Sequence, residues 1–167
     1  MWPLPYAHDA TKEACLHHTK SKADIGVAKT IADLTVKGYV PCIPLSEHQQ
    51  YDLVVILTDG KAIKIQVKFA TLKMNGTIDV KFRTSWADKN GTHTKHYDVN
   101  SFDYYAIYCP ERDIVLYVPN TIDCPKAIRF ETPANNQKKF VKWANDYRFL
   151  EGKSSETIRR TPEMVKT

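Results

Sequence analysis

The chain has 167 residues, of which 43% are hydrophobic and 26% charged, and a net charge of +5. That is enough for one domain with a buried core, and the mild positive balance leans towards a polyanionic partner. No run approaches the roughly 20 apolar residues that span a bilayer, and the start, MWPLPYAHDATKEA, lacks the basic and apolar regions of a secretory signal, so a cytoplasmic protein with no membrane partner is expected.

Residues 1–20, with Pro3 and Pro5, read as an N-terminal arm ahead of a domain over 21–150. From about Ser21 a helical period begins. Asp24, Val27, Ala28, Ile31 and Leu34 recur at spacings of three and four, which predicts an inward stripe carrying one carboxylate. Asp33 falls on the far side of that stripe. Gly38 after Lys37 marks the helix end. YVPCIPL, broken by Pro41 and Pro44, reads as a short extended segment.

Four strand-like runs follow. Residues 52–57 and 61–69 flank Asp59-Gly60, and residues 69–74 and 77–83 flank Asn75-Gly76. Both dipeptides are hairpin signals, because glycine tolerates positive φ. TSWADKNGTHTKHYDVN is a polar loop or ribbon. FDYYAIYC and IVLYVP form another strand pair, with Tyr104, Tyr105 and Tyr108 as sheet core. Thr132-Pro133 suits a helix start, and Phe140, Trp143, Ala144, Tyr147 and Leu150 predict the apolar stripe of a last helix. Lys138, Lys139 and Lys142 are then its exposed face. Residues 151–167 are a polar, loosely held tail. Helix, antiparallel strands and helix together give an α+β domain around a mixed sheet.

The four cysteines, Cys15, Cys42, Cys109 and Cys124, lack the C-x-x-C spacing of a zinc or redox motif and read as reduced structural thiols. His17, His18, His93 and His96 could suggest zinc or a His-metal nuclease, but NGTHTKH has no acid partner at helical spacing.

The first hairpin carries the chemistry. A three-residue turn, Thr58-Asp59-Gly60, sets Leu53 opposite Ile65 and Val55 opposite Ile63, so that one face is apolar. The same register puts Asp52 opposite Gln66 and gathers Asp52, Gln66 and Lys68 on the other face. A slip of one residue would scatter them. The Asp52 carboxylate, the Gln66 amide oxygen and the Val67 carbonyl are the oxygen ligands that Mg²⁺ or Mn²⁺ takes. Lys68 can orient the attacking water and stabilise charge on a phosphate. Gln66 brings no charge, so a further acid is expected. Asp24 is the first choice, with Glu13 and Glu47 as alternatives.

PLSEHQQYDL followed by IKIQVKFA, then FRTSWADKNGTHTK and FDYYAIYCPE, resembles the PD-(D/E)XK endonucleases associated with group I introns, including cyanobacterial homing endonucleases. The resemblance runs from about Ala23 to Tyr117. It implies a restriction-endonuclease-like αβββαβ core with a mixed sheet flanked by helices and a DNA-contacting β-ribbon. It also implies metal-dependent cleavage of double-stranded DNA. By position Asp52 is the first motif acid, Gln66 takes the second acid position and Lys68 is the motif lysine. Tyr51 stands where the pattern has proline, and Val27 follows Gly26 where the wider superfamily often has an acid. Cutting both strands asks for at least a dimer, and the resemblance extends this to a tetramer, a dimer of dimers.

The ribbon region carries the expected DNA contacts. Arg83, Ser85, Trp86, Lys89, Asn90 and His93 are candidates for the groove, and Lys73, Lys81 and Lys95 for phosphates. The alternatives are a junction resolvase, a restriction-type nuclease, or a DNA-binding module that no longer cuts.

Overall fold

A computed structural model of the chain describes residues 18–46, 48–132 and 141–150. Residues 1–17 of the expected arm, the tail, Glu13, Glu47 and the first part of the last helix lie outside the described residues, while His18, Thr19 and Lys20, expected in the arm, already belong to the first helix. The elements are α1 (His18–Val36), β1 (Val40–Cys42), β2 (Leu53–Ile56), β3 (Ala62–Phe69), β4 (Thr77–Asp79), β5 (Arg83–Asp88), β6 (Gly91–His96), β7 (Tyr104–Cys109), β8 (Ile114–Pro119) and β9 (Ala127–Arg129), with a 3₁₀ turn at Ala144–Tyr147.

Five strands form the central sheet in the order β1-β2-β3-β7-β8. The β3–β7 pair is parallel and the other three are antiparallel. The first hairpin has the expected register, with Leu53 opposite Ile65 and Val55 opposite Ile63. Gly60 takes φ 83° in its turn, and the Leu57 and Gly60 amides donate to Lys61 O and Leu57 O. Period-two alternation then sends Leu53, Val55, Ile63, Ile65 and Val67 into one core with Tyr104, Ala106, Tyr108 and Tyr117. Tyr105, Ile107, Cys109, Leu116 and Val118 point the other way, into a second core with Phe102, Ile78 and Ile128.

Helix α1 covers the first core with only part of the expected stripe: Leu34 is buried, and Val27 and Ile31 pack against it. Gly26, Thr30 and Leu34 are its buried positions, while Asp24 and Ala28 are exposed. Asp24 lies about 120° around the helix from Thr30 at 100° per residue. The apolar pattern misleads because two inward positions are not apolar side chains. Thr30 satisfies its hydroxyl on Gly26 O at 2.8 Å. Gly26 lets the helix approach β3, since a Cβ there would stand 3.3 Å from Val67 Cγ1.

The helix ends in a Schellman arrangement. Gly38, at φ 75°, donates to Thr35 O, and Tyr39 donates to Leu34 O. Asp33 also faces inwards, contrary to the expectation from the stripe. Its Oδ2 accepts from the Tyr117 hydroxyl and from Lys37 Nζ, both at 2.5 Å. Lys37 Nζ donates as well to Arg148 O at 2.7 Å and stands 4.7 Å from the Tyr117 ring centroid. Burial lowers the Lys37 pKa against the pull of Asp33. This network ties the C-terminal segment to the helix end.

Three further elements differ from expectation. No helix lies between β3 and β7, where the αβββαβ scheme has one. That connection carries β4 and the β5–β6 ribbon, and the second core is covered by β4, β9 and the 3₁₀ turn. Residues 77–79 pair with β9 and keep only a single bridge, Leu72 to Ile78, to the preceding segment. Over 141–150 the chain is not the expected helix. Trp143 is extended and bridges Arg129, so pairing with β9 overrides the helical period, although Ala144 and Leu150 are buried as expected.

Replacing Asp33 by Ala removes the carboxylate that serves a buried hydroxyl and a largely buried ammonium. The expected loss is about 3 kcal/mol, a melting midpoint lower by about 6–12 °C for a chain of this size. Thermal melts followed by circular dichroism check it.

Candidate active site

The register of β2 and β3 brings Asp52, Gln66 and Lys68 together. The Asp52 amide donates to Ile65 O at 2.9 Å, which extends the hairpin by one residue beyond β2. Asp52 Oδ2 accepts from the Val67 amide at 2.7 Å and from Gln66 Nε2 at 2.6 Å. Gln66 Nε2 also lies 3.3 Å from Val67 O. The Gln66 amide nitrogen thus sits between two oxygens, to which it donates.

Asp52 is half-buried, and burial raises its pKa. The Val67 amide, the Lys68 charge and the Gln66 amide oppose that shift in turn. Lys68 Nζ donates to the Tyr97 hydroxyl at 2.9 Å and lies 4.6 Å from the Tyr97 ring centroid.

Two clefts meet at this cluster. One is lined by Asp52, Gln66, Val67 and Lys68 with Lys22, Ala23 and Val27 of α1 and Thr84 of β5. Asp24 does not line it. The other runs from Lys68 along Thr71 to Lys73, Lys81 and Arg83. Lys68 stands where they join, and the second cleft is dominated by cations. Its one acid, Asp79, is paired with Lys73.

The β5–β6 ribbon forms as one of the two readings of this stretch, with Lys89 and Asn90 at its turn. Its pairing divides the candidate contacts between two faces. Arg83 and His96 lie on one face, Thr84 and Lys95 on the other, and the pairing runs on through Ser85 with Thr94 and Trp86 with His93. At the tip, Asp88 Oδ1 receives the Asn90 amide at 2.7 Å and lies 3.0 Å from His93 Nε2. His93 and His96 are on opposite faces, and among the described residues no three His, Cys, Asp or Glu side chains group into a metal cluster. Cys42, Cys109 and Cys124 are free thiols, and burial pushes Cys109 up to about 11.

Sequence spacing missed Tyr97 and Thr84. Tyr97 lies 29 residues from Lys68, and only the closing of the ribbon returns it to the β3 strand. Nothing in local sequence signals that return.

The model of the PD-(D/E)XK endonuclease family matches residues 17–150. The chain belongs to that family. A solved structure of a bacterial homing endonuclease, I-Ssp6803I, is similar at 26% identity with a TM-score of 0.63, over 78% of this chain and 88% of that one. No curated protein matches. This PD-(D/E)XK protein is a DNA endonuclease, and enzymes of the family generally use divalent metal ions. No described helix is long and apolar enough to cross a membrane.

The raised Asp52 pKa has a stability consequence. The fold favours the neutral carboxyl, so its contribution is full below the ordinary carboxylate value of 3.8 and is lost as pH rises through the raised value. Asp52→Asn keeps an acceptor for the Val67 amide and removes the charge. In chelator the variant is expected to resist urea better than the parent at pH 7. Urea midpoints measured between pH 7 and pH 4 should converge as pH falls.

Proposed function

We propose that this endonuclease is a metal-dependent, site-specific enzyme of the group I intron homing type, cutting both strands of duplex DNA. The observation that carries the reading is the Asp52 carboxylate and the Val67 carbonyl gathered about the Gln66 amide nitrogen, with Lys68 on the same face. An N–H donor between two oxygens marks a place that suits a cation. The donor set, a carboxylate, an amide oxygen and a backbone carbonyl, fits the oxygen preference of Mg²⁺ or Mn²⁺. Asp52 and Val67 O would hold the ion with Gln66 Oε1, which requires the amide to present its oxygen rather than its nitrogen. Such an ion, when bound, supplies Lewis-acid polarisation of the phosphodiester and a more acidic water.

The chain's own groups do the rest. Lys68 orients the attacking water and meets the charge that grows on the phosphate. Lys73, Lys81 and Arg83 line the cleft that continues from Lys68, a track for the phosphate backbone. A two-stranded ribbon fits the major groove, where Arg83, Ser85 and Asn90 would meet base edges, with Trp86, Lys89, His93 and Lys95 beside them. The likeness to a bacterial homing endonuclease supports the homing reading. Cutting two strands calls for two sites, met by a dimer and in this branch by a dimer of dimers in the bacterial cytoplasm.

Selection from a plasmid library with Mg²⁺ tests this reading. A discrete cut site should emerge, and chelator should stop the cutting. Asp52→Ala and Lys68→Ala should each slow cleavage at least about 100-fold while duplex binding persists. Parental rates in both variants would overturn the site. Tight binding without cleavage under any divalent ion would identify a module that no longer cuts, and four-way junctions cut without sequence preference would identify a resolvase.

The cationic track gives a separate measurement. Lys81→Ala and Arg83→Ala should each weaken duplex binding and lower the slope of log K against log salt by about 1. Only Arg83→Ala should also relax sequence preference.

A further inference from the structure

We infer that Tyr97 is the positioning residue for Lys68, and that it ties the ribbon to the cleavage site. This rests on the reading of Lys68 given above. Tyr97 follows directly on His96, the last residue of β6, so it is the point at which the ribbon joins the body of the protein. Its hydroxyl accepts from Lys68 Nζ at 2.9 Å. Its ring packs edge-on against Phe102 at 5.2 Å and Tyr105 at 6.1 Å between centroids. Both neighbours are buried, so the ring is held from the core side.

The backbone beyond Tyr97 is held as well. Buried Asn120 donates through Nδ2 to Asp98 O, Val99 O and Phe102 O at 3.0–3.3 Å. Ser101 Oγ donates to Asp98 O at 2.5 Å. The turn from the ribbon into β7 is therefore stapled to the end of β8. On its other side, Thr84 near the start of β5 lines the same cleft as Lys68. Both legs of the ribbon thus enter the body at the catalytic lysine.

A lysine side chain has four rotatable carbons and loses much rotamer freedom when fixed. A phenol anchored in the core supplies the fixed acceptor that β3 alone lacks. The bond leaves two ammonium protons of Lys68 for water and phosphate.

Tyr97→Phe tests this in the full chain, because it keeps the ring and removes only the acceptor. The first measurement is the ¹⁵N spectrum of the lysine ammonium groups, with Lys68 assigned by its loss in Lys68→Met. In the parent, the Lys68 ammonium should exchange with water more slowly than that of exposed Lys61. In Tyr97→Phe that protection should disappear while the backbone spectrum stays in place. The second measurement is single-turnover cleavage of the selected plasmid site. The rate should fall about 10-fold with duplex affinity unchanged.

Unprotected Lys68 in the parent, or an unchanged Lys68 signal and cleavage rate in the variant, overturns the inference. If Lys68→Met cuts normally, the site reading itself has failed. If Lys68→Met is inactive and Tyr97→Phe cuts like the parent, only the role of Tyr97 has failed.

Discussion

The β2–β3 register is the constraint on which the remaining structure depends. It is set by a three-residue turn whose third residue, Gly60, takes φ 83°, a conformation that side-chain-bearing residues rarely adopt. Because a strand alternates with period two, this one choice decides both faces at once. It sends Leu53, Val55, Ile63 and Ile65 beneath α1 and leaves Asp52, Gln66 and Lys68 together. The burial of the apolar face therefore enforces the geometry of the polar one. A slip that scattered the candidate site would also expose four core side chains, each a loss of about 1.5–3 kcal/mol.

Asp52 shows how the hairpin accommodates a partly buried charge. The carboxylate lies one residue beyond β2, where it replaces a ladder acceptor and receives the Val67 amide. The backbone that positions the next motif residues also solvates Asp52. Burial still dominates its pKa, so the site keeps some of the electrostatic stress that a cation relieves. Gly26 contributes from the other side of the sheet. Its missing side chain allows α1 to press on Val67, the residue whose amide and carbonyl both face this cluster.

How far the sequence revealed all this depends on the range of the interactions involved. The hairpin was legible because turn chemistry and alternation are local, and both pointed to one register. The strand pairs at Tyr104–Cys109 and Ile114–Pro119 were legible for the same reason. The face of α1 was legible only in part. Its buried positions include a glycine and a threonine that satisfies itself on Gly26 O, so the centre of the apolar pattern is rotated away from the contact and only its Val27, Ile31 and Leu34 edge packs on the core. That error turned Asp24 inwards and Asp33 outwards. The last segment failed differently. Its helical period is real, but Trp143 finds a backbone partner on β9, a contact outside the reach of any local window. Tyr97 was invisible for a related reason, since its meeting with Lys68 requires the ribbon to close first.

The charge of the cleft gives the proposed chemistry an order. Among the described residues, the cleft around Asp52 holds one carboxylate against the ammonium groups of Lys22 and Lys68. A free divalent cation meets a cleft with little net attraction for it, whereas a phosphodiester meets the continuous positive track from Lys68 to Arg83. Opposite charges nearby favour each other most strongly where water is displaced. On the proposed reading, the scissile phosphate supplies the negative charge that Gln66, as an amide, does not. Metal and DNA then bind with positive coupling, each raising the affinity of the other by the same factor. A neutral residue at the second acid position thus makes the assembled site conditional on its substrate.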